Sequence, residues 1–164
     1  MDLVHRSAQE GTEGLDHDLV HGSAQKGTEG LDDELARALV TPPNYPHADL
    51  TDKILGATIE VHRQLGSGFL EKVYENALCV ELRARRLEFV AQAEIPVVYK
   101  KLVVGTYYAD LLVASAVICE VKALSALTTV HQSQLLHYLK ATGFKVGLLL
   151  NFGTPKIQIK RLVF

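Results

Sequence analysis

The stretch YYADLLVASAVICEVKAL, residues 107–124, constrains the fold more than any other part of the sequence. Two apolar runs, Leu111–Ala114 and Ala116–Cys119, flank a turn near Ser115 and read as a β-hairpin. Three charged residues, Asp110, Glu120 and Lys122, are built into its arms. Glu120 and Lys122 are two apart, so on a strand they project to the same face. A loop centred on Ser115 sets Asp110 directly opposite Glu120, with Cβ atoms roughly 4.5–5.5 Å apart. An unpaired buried ion costs several kcal/mol even after relaxation. Two carboxylates that close repel, and one of them is forced to keep its proton.

Two arrangements relieve this. The three groups can form an ion-paired cluster at a strand end or face solvent, with no chemical role. Alternatively, a divalent cation sits between the carboxylates and removes the repulsion. Mg²⁺ suits such a pair, because it takes hard oxygen ligands, keeps several waters and uses only one or two carboxylates. A cation there can acidify a bound water and polarise a phosphoryl oxygen. Lys122 beside it could orient that water or neutralise charge on a phosphate.

The surrounding periodicity supplies the frame. Asp49 or Thr51 is expected to cap a helix that runs to Leu65, with Ile54, Thr58, Val61 and Leu65 on one face. GSG at 66–68 ends it. A second helix is predicted from about Phe69 to Arg86, with Leu70, Val73, Tyr74, Ala77, Leu78 and Leu82 toward the core. Strands are predicted at Glu88–Gln92, Ile95–Lys101, Leu102–Leu112 (broken by Gly105) and Val117–Ala123. Thr128 or Thr129 caps a third helix, which Gly143 stops. Strands over 145–152 and 156–164 complete the order α-α-β-β-β-α-β-β. The fold class is α/β, a mixed sheet with helices packed on it.

Residues 1–48 read differently. DLVHRSAQEGTEGLDH (2–17) is followed at once by DLVHGSAQKGTEGLDD (18–33), identical at thirteen of sixteen positions. Two copies are too few for a solenoid, and a segment this rich in Gly and acid cannot offset the entropy of ordering. A short helical stretch at Asp32–Leu39 and the proline-rich TPPNYPH (41–47) lead into a domain at 49–164. Residues 1–50 carry three basic and ten acidic residues, a balance of −7, against +5 for fourteen basic and nine acidic residues in 51–164. The expectation is a disordered acidic leader before a mildly basic domain. No uncharged apolar run reaches membrane-spanning length, and no basic-then-apolar signal pattern opens the sequence. Cys79 and Cys119 lie in apolar segments and read as buried free thiols. A cytoplasmic location without membrane contact is expected.

Four separated segments carry a resemblance. GFLEKVY (68–74) supplies Gly68, Glu71 and Tyr74; YYADLLV and ICEVKA supply a D…ExK pattern; HQSQLLHYLKATGFKVGLLLNFG (131–153) supplies Gln134 and Tyr138. In this order, over roughly 50–164, they resemble the PD-(D/E)XK nuclease superfamily and, within it, the small bacterial GxxExxY group. Ala109 stands where the superfamily has its nominal proline. The resemblance implies a restriction-endonuclease-like core. It implies Asp110 and Glu120 as metal ligands, with the Val121 carbonyl as a third and Glu71 as an outer ligand or water-holder. Glu75 competes with Glu71 for that role. Lys122 would serve the attacking water, and Gln134 would contact substrate or the water network. The bland reading of Glu71 and Glu75 is a solvated helix face, and that of Tyr138 a core aromatic with a satisfied hydroxyl. His131 could contact phosphate or merely sit in water at a helix start.

The expected function is Mg²⁺- (or Mn²⁺-) dependent hydrolysis of phosphodiester bonds in nucleic acid, with DNA the favoured substrate. Lys100, Lys101, Lys140, Lys145, Lys156, Lys160 and Arg161 are candidates to meet phosphates. The alternative is a non-catalytic nucleic-acid-binding or protein-interaction module on the same fold. The apolar C-terminal strand also offers an edge for a homodimer.

Overall fold

Two kinds of periodicity meet one sheet in the computed structural model, which describes residues 45–164. The tandem repeat and the stretch at Asp32–Leu39 lie outside the described residues. Helices α1 (Ala48–Leu65) and α2 (Glu71–Ala84) come first. Strands β1 (Phe89–Tyr99), β2 (Leu102–Val113) and β3 (Val117–Lys122) follow. Helix α3 (Thr129–Thr142) then crosses to β4 (Val146–Asn151), and β5 (Gln158–Val163) ends the order. The sheet reads β1-β2-β3-β4-β5 in space. Only β3 and β4 are parallel, as a strand–helix–strand connection requires. This is the mixed α+β architecture expected, consistent with a restriction-endonuclease-like fold.

The sheet is covered on both faces. Alternate residues of β3 and β4, among them Val117, Cys119, Val121, Leu148 and Leu150, pack with Ile54, Leu55, Val61, Tyr74, Leu78 and Leu82 of α1 and α2. The intervening Ile118 and Leu149 pack with Leu135, Tyr138 and Leu139 of α3. Strands sandwiched in this way lose their period-two pattern and become continuous apolar runs. Helix α3 comes so near β4 that a Cβ on Gly147 would lie 2.8 Å from the Leu135 side chain.

Several boundaries differ from those predicted. Neither Asp49 nor Thr51 caps α1. The helix begins two residues before an Asp49 cap would start it, behind His47 at φ 56, with no side-chain cap bond, and Thr51 is buried within the first turn. Leu70 and Val73 do not reach the core; Leu70 is 80% exposed. Their helical spacing put them there, but α2 starts only at Glu71 and turns Tyr74, Glu75, Leu78, Cys79 and Leu82 inward. The expected break between two strands near Gln92 is absent, as is the break at Gly105. Gln92 takes φ 52 within a continuous β1. The extra residue in β2 is absorbed as a register shift between Val97 and Val98. By contrast, Thr128 caps α3, and Gly143 at φ 75 ends it. Cys79 and Cys119 are buried free thiols.

The close approach at Gly147 gives a direct check of the packing. Gly147→Ala is expected to destabilise the protein by about 1–3 kcal/mol through overpacking against Leu135, measured as a lower midpoint in urea with an unchanged slope.

Candidate active site

The hairpin turn fixes the register on which the site depends. Ala114 and Ser115 both take positive φ, 49 and 50, and the Ala116 N–H donates to the Val113 carbonyl at 3.0 Å. A three-residue loop, Ala114–Ala116, thus joins the strands, its first two residues in the left-handed region. The β2–β3 ladder then runs Val113↔Val117, Leu112↔Ile118, Leu111↔Cys119 and stops. One step further, the same register sets Asp110 beside Glu120. Here β2 parts from β3, and the Asp110 side chain enters the gap. Its Oδ2 accepts the Val121 N–H at 2.8 Å, and its Oδ1 accepts a long bond from Gln92 Nε2 at 3.3 Å. In an extended residue N–H and C=O face the same neighbouring strand, so the Val121 carbonyl is turned toward this gap as well.

Glu120 is 2% exposed. Its Oε2 accepts from Lys122 Nζ at 3.1 Å. Its Oε1 is buried and has no hydrogen-bond partner among the described residues. Burial, then the nearby charge of Asp110, push its pKa up from 4.5 to about 7, against the pull of Lys122. Burial disfavours the Lys122 ammonium, but Glu120, Glu71 and Asp110 outweigh this and hold its pKa above the usual lysine value.

Around this centre lie two supports. Tyr74, at 0% exposure, donates its hydroxyl to the Gly66 carbonyl at 2.8 Å and accepts the Phe69 N–H at 3.1 Å. It also stacks on Phe152, with centroids 4.6 Å apart. The loop around Gly68, at φ 114, is thereby clamped against the start of α2. Glu71, the first residue of that helix, lies with Oε1 3.7 Å from Lys122 Nζ. On the other side, buried Asn151 accepts the Leu124 N–H at 2.8 Å, donates to the Leu124 carbonyl at 2.9 Å, and accepts from Gly153 at 3.2 Å. The Phe152 N–H donates to the Lys122 carbonyl at 2.7 Å. A Cβ at Gly153 would fall on the Leu124 backbone. These contacts anchor the chain immediately after Lys122.

Asp110, Glu120 and Lys122 are therefore brought together, with Glu71 at their edge. Glu71 meets the lysine and does not complete a set of three carboxylates: among the described residues no group of three or more His, Cys, Asp or Glu stands together as a cation site. Glu75 is buried and paired with Lys72 at 2.6 Å. Gln134 does not touch the carboxylates; its Nε2 donates to Tyr138 Oη at 2.7 Å. Burial pushes the Tyr138 hydroxyl up, and the charges of Glu120, Lys122 and Asp110 reach it. His131 caps α3, its Nδ1 accepting the Thr128 N–H at 3.1 Å. Arg161 is turned to Asp52 and the Tyr45 ring.

Gln92, Tyr74's clamp and the Asn151–Gly153 anchor were not visible in the sequence. A polar Asn and a Gly closing a run of apolar strand residues were the only signal for the last of these.

One family comparison covers both the helices and the sheet. A model of the PD-(D/E)XK nuclease superfamily matches residues 48–162. The chain belongs to the PD-(D/E)XK nuclease superfamily. No curated protein and no solved structure matches it. No helix among the described residues is long and apolar enough to cross a membrane.

The site also makes a prediction about stability. Glu120 holds its proton up to about pH 7 in the fold, against 4.5 for the free group. The folded state thus binds the proton more tightly, and stability falls as pH rises from about 4.5 to about 7. In chelator, the protein should unfold at a lower temperature at pH 8 than at pH 5. Glu120→Gln should flatten that difference, and Mg²⁺ or Mn²⁺ should raise the pH 8 midpoint of the unsubstituted chain.

Proposed function

We propose that this chain is a metal-dependent nuclease of the GxxExxY group, hydrolysing phosphodiester bonds in nucleic acid, with DNA the favoured substrate. The observation that carries the reading is the orphaned Oε1 of Glu120 beside Asp110. A buried acceptor without a donor costs about 1–3 kcal/mol, more when charged, and a cation removes that cost. The donor set is hard oxygen throughout, which fits Mg²⁺ or Mn²⁺. Asp110 and Glu120 would hold the ion, with the Val121 carbonyl turned to the same gap. Such an ion supplies Lewis acidity at a phosphoryl oxygen and a more acidic water.

The chain's own groups do the rest. Lys122 keeps its proton and offers positive charge where the phosphate gains negative charge in the transition state. Glu71, near its ammonium, limits the directions Lys122 can take and presents an outer carboxylate that can hold water. Tyr138 and Gln134 offer a linked pair of polar groups on the α3 side. The spacing G-x-x-E-x-x-Y supports the group assignment physically. Gly68 permits the loop, Tyr74 clamps it, and Glu71 is thereby set against Lys122.

The test is a nuclease assay on plasmid and on single-stranded DNA and RNA with Mg²⁺ or Mn²⁺. Cleavage should vanish in chelator. Lys122→Ala should lose roughly 10²–10³-fold in rate, the cost typical of removing one charge-stabilising donor. Glu120→Gln should abolish metal-dependent cleavage while leaving the fold intact by circular dichroism. Nucleic-acid binding with no metal-dependent cleavage on any of these substrates would sink the catalytic reading.

A further inference from the structure

The β1–β2 hairpin runs past the helices as an arm. From its root in the core at Ile95, its paired residues are Glu94↔Tyr108, Ile95↔Tyr107, Pro96↔Thr106, Val97↔Gly105, Val98↔Val103 and Tyr99↔Leu102, closed by Lys100 and Lys101 at positive φ. Directly opposed residues share a face. One face begins at Ile95 and Tyr107, where the Tyr107 ring meets Tyr138 of α3 at 5.3 Å. The other face comprises Glu94, Tyr108, Pro96, Thr106, Val98 and Val103, all exposed. No helix covers it. An isolated two-stranded ribbon is marginal in water, and a contiguous exposed apolar patch of this kind marks an interaction surface.

We propose that this face binds the same face of a second copy of the chain, antiparallel about a two-fold axis. The charge distribution selects that occupant. Glu94 stands at the root of the arm, and Lys100 and Lys101 stand at its tip, six residues or ~20 Å away; Lys100 Nζ rests over the Tyr99 ring of the opposite face, 5.4 Å from its centroid, and turns from it to pair. Laid antiparallel, each root carboxylate meets the other copy's tip lysines. In a two-fold contact residue i meets j and j meets i, so the pairing is made twice. The axis passes near Val97 and Gly105. Tyr108 of each copy then lies over Val103 of the other. Edge-to-edge pairing through β1 is blocked, because Pro96 lacks an N–H and the register shift at Val97 and Val98 bends the edge. Val98 and Val103 are aliphatic and fit a protein surface better than nucleotide bases. One arm face is small for a specific interface, so the dimer is weak and concentration-dependent. This inference is independent of the nuclease reading.

Sedimentation velocity on the full chain in chelator tests it. The unsubstituted chain should show a reversible monomer–dimer equilibrium. Val98→Glu with Val103→Glu should weaken it at least tenfold, with an unchanged circular dichroism spectrum. Glu94→Lys alone, and Lys100→Glu with Lys101→Glu alone, should each weaken self-association. Mixing these two charge-reversed chains should restore it as a heterodimer. A chain monomeric to millimolar concentration, or a dimer indifferent to all these substitutions, overturns the proposal. So does a monomer whose nucleic-acid binding is lost with Lys100→Glu and Lys101→Glu, which would assign the arm to nucleic acid.

Discussion

A carboxylate buried in the central strand of a sheet, with an ammonium two residues on, is the interaction around which the domain is arranged. Glu120 lies on a strand flanked by β2 and β4 and roofed by α3. Removing such a charge from water is costly unless geometry and hydrogen bonding offset it. Lys122 satisfies one of its oxygens at 3.1 Å and leaves the other bare. Apolar packing alone would be served better by a leucine at this position, as it is by Leu149 opposite it on β4. The residue therefore lowers stability in return for a local chemistry, which is where a fold's departures from its own packing rules are expected.

The sequence around the pair is organised to hold it still. Behind Lys122, Asn151 and Gly153 grip Leu124 while Phe152 takes the Lys122 carbonyl. In front, Tyr74 joins a glycine loop to the sheet layer by stacking on Phe152. Phe152 is thus shared by both supports. Lys122 is approached from α2 and from the β4 end through one aromatic contact, which fixes the backbone on either side of it.

Much of this was legible because it rests on local rules. The D…ExK register followed from side-chain alternation and a loop centred on Ser115. The capping of α3 by Thr128 and its stop at Gly143 followed from terminal signals. Where the sequence misled, a tertiary contact had overruled a local one. Leu70 and Val73 have helical spacing, yet the loop clamped by Tyr74 keeps Leu70 outside the helix and both out of the core. Gln92 and Gly105 look like strand breakers, yet long antiparallel pairing carries β1 and β2 through them. Asn151 and Gly153 acquire meaning only from Leu124, 27 residues before Asn151. Glu71 was expected as an outer ligand, and its link in the structure is to Lys122.

The parting of β2 from β3 carries a further consequence. Asp110 does two things at that fork: its Oδ2 stands in for the main-chain acceptor that Val121 would otherwise find on the neighbouring strand, and it presents negative charge to Glu120. Sheet integrity and site charge are therefore welded into one side chain. A genetic dissection that shortens this residue conflates a broken ladder with a lost anion, whereas the isosteric amide removes the charge and keeps an oxygen for the Val121 N–H, with the Gln92 amide turned over to present its own oxygen. Comparing those two replacements separates scaffold from chemistry at a position where the backbone delegates its own bonding to a side chain.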